Sequence, residues 1–393
     1  MKTIEKKHTL HWLTLFMGFA QIYAWASTYY LPATLVDRFA HESGSTPFMI
    51  MGGFSWSLLI GGLCAPKIGA WIEHEGGRRP LCLGSLLMGC GLLILACAHG
   101  LPLWYIGWTV IGFGMALGLF NAAFAALGRL LGLGAKVIII RMTLISGFAT
   151  LFWPLTTYLI QVIGWRQMVI GYALIHLLLW APLYWFMIPK DIPEHPAITP
   201  DEQGNVSRRL KIIFYLLMTY AILRAIVGTT ISVDILTLFE GLGLTISAAA
   251  LIAALIGPAQ IAGRVLEMFV GRHVDPIHSS LVWTAVLPLA ILILIVLGTS
   301  AAPVFAVAYG MSNGVLTITM GILPMILFGT KGYASLLGKI GLPVLVAQAI
   351  APLLVSPLLE RWSAQSVFML AGWIGLMALV CLGVLCCVRV KNQ

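Results

Sequence analysis

Apolar residues fill this chain in long blocks separated by short polar turns. A helix needs about 20 mostly apolar residues to cross the hydrocarbon of a bilayer. Twelve blocks approach or exceed that length, at roughly 12–35, 47–66, 81–98, 102–127, 140–162, 168–188, 211–236, 245–267, 279–299, 302–328, 335–359 and 364–388. The pattern predicts an all-α integral membrane protein of twelve transmembrane helices. It is interrupted once, over 189–211, where Pro189, Pro193, Pro196 and Pro200 stand among Asp201, Glu202, Arg208, Arg209 and Lys211. That composition reads as an extended hydrophilic linker. It divides a six-helix half at 1–188 from a second at 212–393, and it is too short to hold a catalytic domain.

Polar side chains inside the blocks carry the functional signal, because each must be withdrawn from lipid. The first block places Gln21, Trp25 and Tyr29 at i, i+4 and i+8, one face of a helix, read as cavity lining. The fourth contributes Gly114-x-x-x-Gly118, suited to close helix contact, then Asn121. The fifth opens with Arg141 and contains Pro154, a bend signal. His176, midway along the sixth, reads as a hydrogen-bonded packing residue, and Gly164-Trp165-Arg166 as an interfacial turn. In the seventh, Arg224 lies near the centre, where an arginine costs about 2.5 to 3.5 kcal/mol on the insertion scale. Tyr220, Arg224, Gly228 and Ser232 share its face, and no carboxylate lies at the same depth, so the cation is a candidate anion site. Gln260 and Arg264 are one turn apart in the eighth block. Tyr309, Asn313 and Thr317 form a stripe in the tenth, and Gln348 sits among Pro343, Pro352 and Pro357 in the eleventh.

The turns repeat. Gly69-x-x-x-Glu73-x-x-x-Gly77-Arg78-Arg79 between the second and third blocks returns 194 residues later as Gly263-Arg264-x-x-Glu267-x-x-x-Gly271-Arg272 between the eighth and ninth. Gly114-Met115-x-x-Gly118 returns as Gly310-Met311-x-x-Gly314, Arg141 with Pro154 as Lys339 with Pro352, and Trp165 as Trp362. Two homologous six-helix halves follow, the parallel repeat of one transporter architecture.

The paired Gly-x-x-x-acid-x-x-x-Gly-Arg turn resembles the signature loop of the major facilitator superfamily, and the likeness covers almost the whole chain. Here Glu stands where Asp is more usual, and the first copy carries one extra Gly. The resemblance implies a secondary transporter whose helices 1, 4, 7, 8, 10 and 11 surround a central cavity, with helices 3, 6, 9 and 12 outside. The third, ninth and twelfth blocks fit the outer position in having no strongly polar residue at mid-length. Gly257-Pro-Ala-Gln260-x-x-x-Arg264 is similar to a pattern in the eighth helix of monocarboxylate and oxalate/formate carriers. Gln260 stands where those carriers have Asp, and the first helix lacks their membrane-centred Lys.

Charge settles the orientation expected. The chain is 60% hydrophobic and 9% charged, with mean hydropathy +0.97, outside the range of soluble domains. Its net charge of +9 could suit a nucleic-acid binder. Yet 19 of 23 Lys and Arg fall in the termini and the even-numbered loops, which places both termini in the cytoplasm and accounts for the basic balance without nucleic acid. A bacterial-type inner (plasma) membrane is the expected location. No cleavable signal is read in the first block. The seven Cys lie in or beside apolar blocks without metal-ligand spacing, and the methionines read as packing, so no metal or other cofactor is expected.

The functional expectation is alternating-access transport of a small, monocarboxylate-like organic anion. Arg224 would bind it, Gln260, Asn313, Tyr309 and Gln348 would orient it, and Gln21, Trp25, Tyr29 and Asn121 would close the opposite wall. Gly69, Glu73, Arg78, Arg79, Arg141, Arg264, Glu267 and Arg272 would form a cytoplasmic gate held by ion pairs. A proton is a candidate coupling ion, the bilayer is the partner, and a monomer is expected. Efflux of drugs or other toxic compounds is the alternative, although Trp108 stands where drug/proton antiporters have Arg and Ala149 where they have Gly. A non-transporting receptor comes third. No paired carboxylates at depth, nucleophile beside a base, or phosphate loop supports an enzyme.

Overall fold

A computed structural model describes residues 2–190, 208–271 and 273–390, and among these the secondary structure is helical throughout. The predicted linker and Arg272 lie outside the described residues, apart from the linker's two ends. Nine helical runs among the described residues are long and apolar enough to cross a membrane. Two of them, Leu101–Ala149 and Pro276–Phe328, hold 49 and 53 residues, enough for two crossings each. Gly132 (φ 57°) and Gly298 (φ 68°) fold these runs back, since a left-handed backbone is open to glycine at little steric cost.

The first span is Lys2–Ala24 followed by a π-helical turn, Trp25–Tyr29, and an amphipathic helix, Pro32–Ser43. The second is Pro47–Glu75 and the third Arg78–Ala96. The fourth is broken, Leu101–Gly118 then Phe120–Leu131, with Leu119 extended at ψ −173° between them. The fifth runs from Ala135–Ser146 through a tight 3₁₀ turn, Gly147–Leu151, into Phe152–Ile163, so the bend expected near Pro154 falls just before it. The sixth, Trp165–Ile175 and Ala181–Met187, carries a second π-turn at His176–Trp180. Arg208–Gly241 is the seventh; Ile246–Ala253 and Ile256–Val270 make the eighth. Pro276–Leu297, Ala302–Phe328, Tyr333–Arg361 and Ala364–Val390 are the ninth to twelfth.

By contact the chain divides into two units. One is Met1–Pro193 with Gly329–Ala349, the other Glu194–Phe328 with Ile350–Gln393. Within the first, the second span packs on the fourth and the third on the sixth; within the second, the eighth packs on the tenth and the ninth on the twelfth. The sequence repeat is thus a repeat of packing. The first core is built on Trp104 and Trp108, both fully buried, with Phe39 stacked on Trp104 at 4.2 Å. The second is built on Phe239, Phe305 and Phe368, with Tyr309 stacked on Phe305 at 6.0 Å. Glycines set the closest helix contacts: a Cβ at Gly114 would meet Met88, and one at Gly310 would stand 2.6 Å from the Ile256 carbonyl.

Candidate functional site

The face predicted on the seventh span opens into a pocket inside the second unit. Arg224, Val227, Gly228, Thr284, Leu287, Tyr309, Ser312, Asn313, Leu316, Gly375 and Ala378 line it, and no carboxylate is among them. A guanidinium nitrogen of Arg224 donates to Thr317 Oγ1 at 3.4 Å. Thr317 in turn gives its own proton to the Asn313 carbonyl at 2.7 Å, so a lone pair is what it turns toward the arginine. Arg224 Nε is buried with no hydrogen-bond partner among the described residues. One turn away, Tyr220 shares a 3.1 Å hydrogen bond with Thr284. Tyr309 shares one of 2.8 Å with Ser232 and donates to the Gly228 carbonyl at 3.0 Å.

Of the proposed substrate contacts, Arg224, Tyr309 and Asn313 therefore come together around one cavity. Thr284 and Ser312 join them unannounced. The ninth and twelfth spans, expected outside, contribute Thr284, Leu287, Gly375 and Ala378 to the lining. A single threonine in an apolar block satisfies itself within its own helix at little cost, which is why it gave no signal. Gln260 is half-buried and outside this lining, and its backbone packs against Gly314. Gln348 is half-buried on the eleventh span.

In the first unit, the stripe on the first span separates into two environments. Gln21 is 0% exposed and donates through Nε2 to the Gly118 carbonyl at 2.7 Å. That carbonyl ends a helix at the break in the fourth span, and Gln21 supplies a donor the helix lacks there. Trp25 and Tyr29, half-buried, form an aromatic wall: their rings lie 4.7 Å apart, Trp25 is 4.8 Å from Phe120, and Tyr29 is 5.2 Å from Phe54. Trp25 Nε1 is buried and unpartnered among the described residues. Asn121, just past the break, is exposed and adjoins Gly341.

The first signature turn holds the start of the eleventh span. Glu73 accepts the backbone N–H of Gly332 at 3.1 Å on one oxygen and that of Ala334 at 3.0 Å on the other. Its own carbonyl accepts Arg129 Nε at 2.8 Å. A negative group at a helix N-terminus satisfies orphan donors and meets the positive end of the dipole. Gly69 and Gly338 allow the approach: a side chain at Gly69 would strike the Ala334 carbonyl, and one at Gly338 the Ala65 carbonyl.

Among the described residues, the charged side chains of the two turns have the following partners. Arg78 lies over the Trp185 ring at 4.4 Å, and Arg79 pairs with Glu75 at 2.8 Å on the exposed surface. In the second unit Glu267 accepts Ser279 Oγ at 2.7 Å, and both Arg264 and Glu267 are 5% exposed. Arg141 is exposed on the fifth span. Among the described residues no group of His, Cys, Asp and Glu could hold a metal ion.

The family model of the Major Facilitator Superfamily matches residues 13–342. No curated protein matches the sequence. Among solved structures, the human organic anion transporter MFSD10 (TETRAN) is 14% identical, with TM-score 0.70 over 94% of this chain and 98% of that one. The proton:xylose symporter XylE, bound to 6-bromo-6-deoxy-D-glucose, is also 14% identical, with TM-score 0.72 over 95% of each chain.

Proposed function

The chain belongs to the Major Facilitator Superfamily and is a multi-pass secondary transporter with that twelve-helix fold, and we propose that its substrate is a small, monocarboxylate-like organic anion. Arg224 carries the proposal: a central cation in a pocket whose other polar groups are hydroxyls and an amide, with one guanidinium nitrogen left over. A buried cation without a counter-ion is costly, and an anion that enters the pocket removes the cost. Tyr309, Asn313, Thr284 and Ser312 orient the bound anion. The two structural neighbours share the fold and move different substrates, so the choice of substrate rests on the pocket.

In this reading the Glu73 clasp on Gly332 and Ala334 is the cytoplasmic latch of an alternating-access cycle. Lys and Arg bias supports cytoplasmic termini in a bacterial-type inner membrane, and the proton is the candidate coupling ion for symport. The test is uptake of labelled small organic anions into proteoliposomes under imposed proton and sodium gradients, with Arg224→Gln beside the wild type. Accumulation of one anion, lost in Arg224→Gln, is the expected result. Extrusion of a neutral or cationic toxicant with no anion moved would replace this reading with the efflux one.

A further inference from the structure

The first unit contains two π-turns, Trp25–Tyr29 and His176–Trp180, and each leads into a proline, Pro32 and Pro182. A proline ring crowds the carbonyl four residues before it. Those residues are Thr28 and Leu178, one inside each π-turn. Widening the helix by one residue relieves the crowding, and such π-bulges gather at functional sites. The wide hydrogen bonds are present: Tyr30 N–H reaches the Trp25 carbonyl at 3.0 Å, and Ala181 N–H reaches that of His176.

The two turns are joined by one side chain. His176, 1% exposed, contacts Ser27 Oγ through Nε2 at 2.8 Å and Ser85 Oγ through Nδ1 at 3.1 Å. Ser27, 0% exposed, sits mid-way along the first π-turn and also reaches the Tyr23 carbonyl at 2.7 Å. Ser85, on the third span, also lies 3.1 Å from the His176 carbonyl, the one that accepts the wide bond. Tyr23 packs its ring edge-on to the imidazole at 4.9 Å and donates to the Tyr172 carbonyl at 2.9 Å. Three spans thus meet at one imidazole, and the residues that begin and end the π-turn it grips are Trp25 and Tyr29.

We infer that His176 is a positioning residue for transport, which through Ser27 holds the first span in its π-turn and so fixes how Trp25 and Tyr29 face the transport path. The inference rests on the reading that the first span lines that path. A helix without the π-turn would carry Tyr29 round by about 100° relative to Gln21. The imidazole is the clamp that selects between the two registers.

The test uses the full chain with its seven cysteines replaced by alanine and one cysteine placed at Trp25, or at Tyr29 where the first misfolds. Its modification by an impermeant charged thiosulfonate is timed in proteoliposomes. Ser27→Ala and His176→Asn both remove the Ser27 contact, whereas Gln at 176 reaches the place of Nε2. The expected result is a labelling rate changed about fivefold or more in Ser27→Ala and His176→Asn, the shift one buried hydrogen bond can bias, with His176→Gln restored to the parent rate. Equal rates in the parent and in folded Ser27→Ala overturn the inference, whatever His176→Asn does. A parent cysteine that never reacts overturns instead the reading that this span lines the path.

Discussion

Glu73 and Gly332, 259 residues apart in sequence, are joined by a 3.1 Å hydrogen bond from the backbone amide of one to the carboxylate of the other. With the companion bond from Ala334, a residue in the last turn of the second span serves as the N-terminal cap of the eleventh. Capping side chains of this kind are worth about 0.5–2 kcal/mol. Glu73→Ala is expected to lower thermal stability in detergent by that order and to raise labelling of a cysteine at Gly341 from the cytoplasmic side. Glu73→Gln, which keeps one acceptor oxygen, falls between. Unchanged melting and labelling in Glu73→Ala would remove the latch.

Gly69 and Gly338 face each other across the same contact, where a new Cβ at Gly69 would lie 3.0 Å from the Gly338 Cα. Backbone cannot yield as a flexible side chain does, so Gly69→Ala and Gly338→Ala are each expected to cost about 1–3 kcal/mol of stability. The double variant costs less than the sum, because one separation of the spans relieves both clashes. Gly171→Ala, where a Cβ meets nothing within 4 Å, is the control and stays near wild type. Thermal unfolding of the four variants decides the matter.

Arg224 separates a binding role from a structural one. Among the described residues its Nε has no partner and Thr317 accepts from the guanidinium only at a long 3.4 Å, so little folding energy depends on it. Arg224→Met is expected to leave stability unchanged or raise it by about 1 kcal/mol, since an unpaired buried charge is lost, while anion uptake falls to background. Arg224→Lys keeps the charge without the planar fork and retains partial uptake at higher KM. A Met variant that unfolds would show instead that the cation holds the bundle together.

Gln21 is expected to behave in the opposite way. It is fully buried and donates to the Gly118 carbonyl at the break in the fourth span. Gln21→Leu leaves that acceptor unpaired at a cost of about 1–3 kcal/mol. The melting temperature should therefore drop while the KM of the transported anion moves less than twofold, about 0.4 kcal/mol. A large KM change at constant stability would return Gln21 to the substrate site.

The spans, the repeated turn and the polar stripes that carry Arg224, Tyr309 and Asn313 were legible along the chain. These follow from local rules: the length of apolar blocks, the 3.6-residue period, and the cost of a charge in lipid. Partner choice was decided by the tertiary structure. No periodicity announces that Glu73 will take two backbone amides of the eleventh span rather than a nearby arginine, because a helix terminus offers donors without any side-chain signature. Thr284 entered the pocket from an apolar span for a related reason, as its polarity shows only once Tyr220 stands beside it. The π-turns lie between the two cases. Pro32 and Pro182 mark them in the sequence, yet only the packed unit brings Ser27 to His176 and shows what the extra residue in each turn is for.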